Sequence, residues 1–224
     1  MTFQVLTVGI DLNNTIVDTR AGLLSHSRRL SGLNITPGQF VGRETVGRQF
    51  PTTQDGSKFA VFTAEQYERA KDLYFNTPVG FLEHALPCAG AVKLLQVLCA
   101  QGHSLQLVTD AASLQEKVVR DWWRRVGLPS TCEFHFTRGA SKDELYALCH
   151  VIVDDDLKHL LPHVENPDMR LYHALPAPGA VGCDVVKRPD GLSDRIISVQ
   201  GCEPLLADWR NWQAELAAAQ TVAA

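Results

Sequence analysis

No stretch of the 224-residue sequence approaches the roughly 18 consecutive apolar residues that would span a bilayer, so no membrane-embedded helix is expected. A basic excess is missing too. The 21 Lys and Arg against 25 Asp and Glu leave a formal charge of −4, the wrong sign for gripping a nucleic-acid backbone. CxxC pairs are absent. The six cysteines (Cys88, Cys99, Cys132, Cys149, Cys183, Cys202) are widely spaced, which fits reduced thiols better than a disulfide framework or a zinc site. The opening MTFQVLTVGI carries neither a basic leader nor a small-residue cleavage site, so no signal peptide is expected and the expected location is cytoplasmic. The glycosylation-like triplets Asn13-Asn14-Thr15 and Asn34-Ile35-Thr36 are then chance matches. Disorder is excluded by 45% apolar and only 21% charged residues, enough to bury a sizeable core.

What is present is an alternation of apolar runs with helix-period segments, the pattern of βα units around a mainly parallel sheet. Phe3 to Ile10 reads as a buried first strand. Ser104 to Val108, Glu133 to Phe136 and Val151 to Val153 read as later ones, with Arg170 to Leu175 and Arg195 to Val199 as edge strands. Helices are expected over Ala89 to Gln101, Ser113 to Val126 (stopped by Gly127 and Pro129) and Glu203 to Ala219. Ser141-Lys142-Asp143-Glu144 reads as a capping box opening a helix to Cys149. Between the first strand and Pro87 the rhythm breaks. Ala21 to Leu30 is helical in pattern, Thr36 to Lys58 reads as loop, and a capping box at Thr63 to Gln66 opens a helix to about Phe75. Such an insertion would sit over the carboxyl ends of the strands, where open α/β sheets bind ligands.

Carboxylates gather at those same ends. The first strand runs into Asp11-Leu12-Asn13-Asn14-Thr15, the second into Thr109-Asp110, the third into Thr137-Arg138 with Lys142 beyond, and the fourth into Asp154-Asp155-Asp156. An isolated Asp there is equally well a turn initiator. Four such ends along one sheet edge collect several carboxylates that repel unless cations sit among them. A hard divalent ion with oxygen ligands, completed by phosphate, suits that set.

These residues resemble the four motifs of the haloacid-dehalogenase-like superfamily of phosphohydrolases, here abbreviated HAD. Asp11-Leu12-Asn13-Asn14-Thr15 stands for its DxDxT motif, Thr109 for its strand-ending hydroxyl, Lys142 (with Arg138 nearby) for its basic residue, and Asp154-Asp155 for its acidic pair. The 5'(3')-deoxyribonucleotidase-like branch is resembled in Val17-Asp18, Glu65-Gln66-Tyr67, Gly80-Phe81-Leu82 and Asp208-Trp209-Arg210-Asn211-Trp212. The likeness covers nearly the whole chain. It implies an α/β fold with a Rossmann-like core over 1–17 and 86–224, and a helical cap over 18–85. It further implies Asp11 as a nucleophile that becomes phosphoaspartyl, and Mg2+ held by Asp11, the Asn13 carbonyl and Asp154 with Asp155 close by or acting through water. Thr109 would bond the phosphoryl group and Lys142 would offset charge. Thr15, Asp110, Arg138, Arg43 and Phe62 complete the expected substrate contacts. The expected partner is a small phosphorylated metabolite; nucleic acid and membrane are not expected, and a homodimer is left open.

Two departures bear on activity. Asn13 replaces the Asp that protonates the leaving group, and Asn14 replaces the usual Gly, although Asn tolerates the left-handed backbone next best. Thr19 stands where the nucleotidase branch carries a base-stacking aromatic. Three readings therefore stay open: phosphoester hydrolysis, a binding protein without turnover, and an enzyme with altered chemistry. Blander roles are weighed beside these, for some of the same residues. Pro162 between His159 and His163 disfavours a metal-binding helix; Trp122 or Trp123 packs in the core; Asp110 caps the helix before Ala111; Phe59, Phe62 and Tyr67 form the insertion's own core; Arg43 and Arg48 are solvated.

Overall fold

The computed structural model describes residues 5–77, 80–81, 84–110, 113–183 and 186–222. In chain order its elements begin with β1 (Thr7–Ile10), α1 (Thr19–Ser31), β2 (Gln49–Pro51), β3 (Phe59–Val61) and α2 (Ala64–Phe75). There follow α3 (Ala91–Ala100), β4 (Ser104–Thr109), α4 (Ser113–Arg125), β5 (Glu133–Phe136), α5 (Asp143–Tyr146) and β6 (Val151–Asp154). The chain ends with β7 (Arg170–Leu175), β8 (Ile196–Gln200) and α6 (Cys202–Val222). Six strands form one sheet in the order β5-β4-β1-β6-β7-β8, and every pairing is parallel. This is the expected α/β, Rossmann-like architecture.

Alternation along the strands divides the core. Val8, Ile10, Val151 and Val153 face a large apolar core that continues into Leu24, Ile35, Phe40 and Tyr74 of the insertion. Ile152, Val108, Leu171 and Tyr146 pack a smaller one on the other face. The successive strands β4 and β5 build out from one side of β1, and β6, β7 and β8 from the other. The direction of winding reverses at β1, which opens a crevice at its carboxyl end next to β6.

Several elements depart from the sequence reading. Residues 49–61 are not all loop: Gln49 pairs with Val61 and Pro51 with Phe59 in an antiparallel hairpin, so the insertion is helical with a small sheet. Polar and apolar residues mix there without period, which hides so short a ladder. β7 is an interior strand, while β8 and β5 are the edges. The α5 helix stops at Tyr146 rather than Cys149. The first two residues of the expected Phe3 to Ile10 strand, Phe3 and Gln4, lie outside the described residues, and the ladder itself begins at Thr7. Trp122 and Trp123 are both core, with Trp122 Nε1 donating to Ala85 O at 2.8 Å and Trp123 Nε1 to Pro129 O at 2.9 Å. Phe59, by contrast, is 62% exposed.

Gly22 and Gly9 set close approaches. A Cβ on Gly22 would lie 2.1 Å from Tyr74 Cε2, so α1 and α2 meet only because Gly22 has none. A Cβ on Gly9, within β1, would lie 2.8 Å from Cys149 Sγ and 2.9 Å from Tyr146 Cδ1. Its absence lets α5 press onto the sheet.

Candidate active site

Asp11 follows β1 directly, and its backbone N–H donates to Val153 O at 2.9 Å, which carries the pairing with β6 one residue past the ladder. Asp154 ends β6. Both carboxylates are buried. Lys142, at the head of α5, reaches between them: its Nζ lies 2.5 Å from Asp11 Oδ1 and 2.9 Å from Asp154 Oδ2. Tyr146 sits one helical turn further on, a spacing that places it on the same face, and its hydroxyl donates to Asp154 Oδ2 at 2.7 Å. The Asp156 N–H holds the other oxygen, Asp154 Oδ1, at 2.8 Å.

Asp155 is gripped from the opposite side. Arg20 Nη2 lies 3.2 Å from its Oδ2 and Asn14 Nδ2 donates to the same oxygen at 3.1 Å. Asn14 takes the left-handed φ of 60°, the tolerance expected of Asn in place of Gly. Thr19 Oγ1 donates to Asn14 Oδ1 at 2.5 Å. Thr19 thereby tethers the turn.

The electrostatics leave the pocket short of positive charge. Burial pushes the Asp11 carboxyl well up; Lys142 opposes that, while Asp154 and Asp155 add to it. Asp155 is raised to about 6 by burial, against the pull of Arg20. Burial would lower Lys142, but Asp11 and Asp154 outweigh it and raise it above the ordinary lysine value. Three carboxylates face two cations. Ligand oxygens of Asp11, Asp154 and Asp155 all lie within 4.8 Å of one another, and Asn13 Oδ1 and Thr109 Oγ1 are buried without a partner. An all-oxygen set with a net negative charge and unpaired polar atoms fits a hard divalent cation and an anionic oxygen ligand.

The pocket, of about 530 Å³, is lined by Asp11, Asn13, Asp110, Lys142, Asp154 and Asp155, together with Thr137, Gly139, Ala140 and Ser141. Thr109, at the end of β4, is fully buried beneath it. Asp110 accepts from Gly139 N at 2.6 Å and so ties down that turn; the helix start it was expected to cap falls on residues 111–112, outside those described.

Four expected substrate contacts lie elsewhere. Arg138, with φ 53°, turns outward to Glu116 of α4 at 3.3 Å. Phe62 is fully buried against Tyr67, their rings 6.5 Å apart, and can only pack. Arg43 is exposed on a turn of the insertion and is not part of the pocket lining. Thr15 is buried and lines a separate apolar cavity. His159 and His163 both make edge-to-face contacts with Tyr146, each at 6.4 Å between ring centroids. The sequence reading missed Arg20 and Tyr146. The four-residue step from Lys142 was a usable signal for Tyr146, whereas nothing local links Arg20 to Asp155, 135 residues away.

No protein-family model matches the chain, and no curated protein does. Among solved structures it is similar to a haloacid dehalogenase-like family hydrolase from Streptococcus pneumoniae, at 15% identity and a TM-score of 0.49, covering 90% of this chain and 97% of that one. It is also similar to a HAD-superfamily hydrolase from Ehrlichia chaffeensis, at 15% identity, TM-score 0.46 and 97% and 100% coverage. A third is a phosphonoacetaldehyde hydrolase-like protein from Oleispira antarctica, at 14% identity, TM-score 0.47 and 96% and 95% coverage. At these identities the likeness assigns no reaction; the chemistry has to come from the side chains.

Proposed function

We propose that the protein is a HAD-type hydrolase that cleaves a small phosphorylated metabolite through a phosphoaspartyl intermediate. The observation that carries this is the Lys142 ammonium set between Asp11 and Asp154, beside the buried, unpartnered hydroxyl of Thr109. Lys142 opposes the burial that raises Asp11 and gives its carboxylate an ammonium partner, which favours the ionised form that attacks phosphorus. Thr109 donates to a phosphoryl oxygen. Attack by an Asp11 oxygen forms the O–P bond as the bond to the leaving oxygen breaks, and water then cleaves the acyl phosphate to release phosphate and restore Asp11. Asp11, Asp154, Asp155 and the Asn13 carbonyl would hold Mg2+, which supplies charge neutralisation for the phosphoryl oxygens when bound.

Asn13 has no proton to give, so the leaving oxygen departs as its anion or takes a proton from water. That favours phosphates with acidic leaving groups, such as aryl and acyl phosphates, over simple alkyl esters. The test is phosphate release from a panel of phosphorylated metabolites with millimolar Mg2+, using Asp11→Asn as the blank. Release by the wild type that the Asp11→Asn protein lacks supports hydrolysis. Saturable phosphate-ligand binding without any release favours the binding-protein reading.

A further inference from the structure

The Asp154 carboxylate has almost all of its acceptor sites taken. An ionised Asp offers about four lone pairs over its two oxygens. The Oδ2 oxygen accepts from Lys142 Nζ at 2.9 Å and from the Tyr146 hydroxyl at 2.7 Å, which fills it. Oδ1 accepts from the Asp156 N–H at 2.8 Å. Among the described residues no further donor reaches this carboxylate, so a single lone pair stays open, and it lies on Oδ1.

Lys142 also bonds Asp11, so its place beside Asp154 serves two carboxylates. The Tyr146 hydroxyl serves Asp154 alone. The ring behind that hydroxyl is fixed. It is fully buried, presses on β1 where Gly9 has no side chain, and has His159 and His163 against it, each at 6.4 Å between centroids. A donor held this way fixes the carboxylate it bonds, and such outer partners orient metal ligands and tune their affinity.

Hard cations differ in how many oxygens they ask of a carboxylate. Mg2+ is small, demands near-octahedral geometry and takes few protein oxygens. Ca2+ takes about six to eight oxygens and accepts a carboxylate through one oxygen or both. With one open site Asp154 suits the first ion; with a site open on each oxygen it would suit the second as well.

We propose that Tyr146 is a positioning residue that restricts Asp154 to one ligand oxygen, Oδ1, and so sets a preference for Mg2+ over Ca2+. This rests on the carboxylate set named above as the Mg2+ ligands and adds the residue that makes the set selective.

The experiment is calorimetric titration of Mg2+ and, separately, Ca2+ into the metal-free full chain, without phosphate or substrate. Wild type is compared with Tyr146→Phe, which keeps the ring, removes the donor and opens a lone pair on Oδ2. Changes to outer partners move metal affinity about 10–100-fold, so the ratio of Mg2+ to Ca2+ affinity should fall at least about tenfold. Tyr146→Leu also removes the donor and takes the place of the Phe protein if that does not fold. The Tm of each metal-free protein is read alongside, because lost packing alone weakens both ions by a common factor and leaves the ratio where it was. An unchanged ratio in a folded variant overturns the proposal while the carboxylate set stands. Wild type that binds neither ion at millimolar concentration overturns both.

Discussion

Lys142 Nζ stands 2.5 Å from Asp11 and 2.9 Å from Asp154, so a single ammonium joins the ends of β1 and β6 from a helix that neither strand leads into directly. The arrangement sets two buried carboxylates on one shared ammonium, and it exists only because Gly9 allows Tyr146 and α5 to lie against β1. Position and charge are thus set by the same helix.

Removing that ammonium should be costly. Lys142→Met leaves Asp11 and Asp154 buried without their shared partner, and the loss expected for a broken buried pair is about 3–5 kcal/mol. Urea unfolding at neutral pH measures it. Adding Asp11→Asn to Lys142→Met should recover part of the loss, because one of the stranded charges is gone; strictly additive losses would show that the pair is uncoupled.

Mg2+ should stabilise the wild type in proportion to its occupancy, by about 2.7 kcal/mol at one hundred times Kd. Asp154→Asn, which keeps the side chain's shape, should abolish the shift in Tm. A melting curve that ignores millimolar Mg2+ in the wild type would contradict the carboxylate set as the metal ligands.

Asn13→Asp should restore leaving-group protonation. General acid catalysis is worth about 10²–10⁴-fold, so at least a tenfold gain is expected on alkyl phosphates and little on acyl phosphates. Rates across a graded series of leaving groups decide this. An intact, Mg2+-binding variant with no gain on any ester would point to altered chemistry, in which an added negative charge beside Asp11 is harmful.

Gly9→Ala should lower activity more than its size suggests. The new methyl meets Cys149 and Tyr146, and overpacking of this kind costs about 1–3 kcal/mol. Relief by outward movement of α5 carries Lys142 away from Asp11. Activity measured well below the variant's own Tm should therefore fall, whereas a pure stability effect would leave it unchanged.

The acid limb of the stability curve should depend on Asp208. Burial works to raise its carboxyl, but hydrogen bonds from Arg170 (2.6 Å) and Tyr172 (2.7 Å) outweigh that and hold it below the usual Asp range. A depressed folded-state value means that the stabilisation is present above the ordinary Asp value of about 3.9 and is lost as pH falls through the folded one. Wild type and Asp208→Asn should differ in urea midpoint at pH 6 and converge towards pH 2.5. A difference that is constant across that range would assign the loss to packing.

How much was readable in advance varied with the distance over which each feature is decided. The sequence by itself determined the parallel α/β sheet and the gathering of Asp11, Thr109, Lys142 and Asp154 at its edge, because burial periodicity and strand-end position are local properties that each segment displays. It also marked Asn14 as the residue able to take the left-handed turn. Only the tertiary structure decided that Arg138 leaves the pocket for Glu116 and that Arg20 meets Asp155. It likewise made β7 interior and closed the β2–β3 hairpin. Those outcomes depend on strand order, loop dihedrals and which side chains meet, at separations from about ten residues in the hairpin to 135 between Arg20 and Asp155, and periodicity within a segment does not display them.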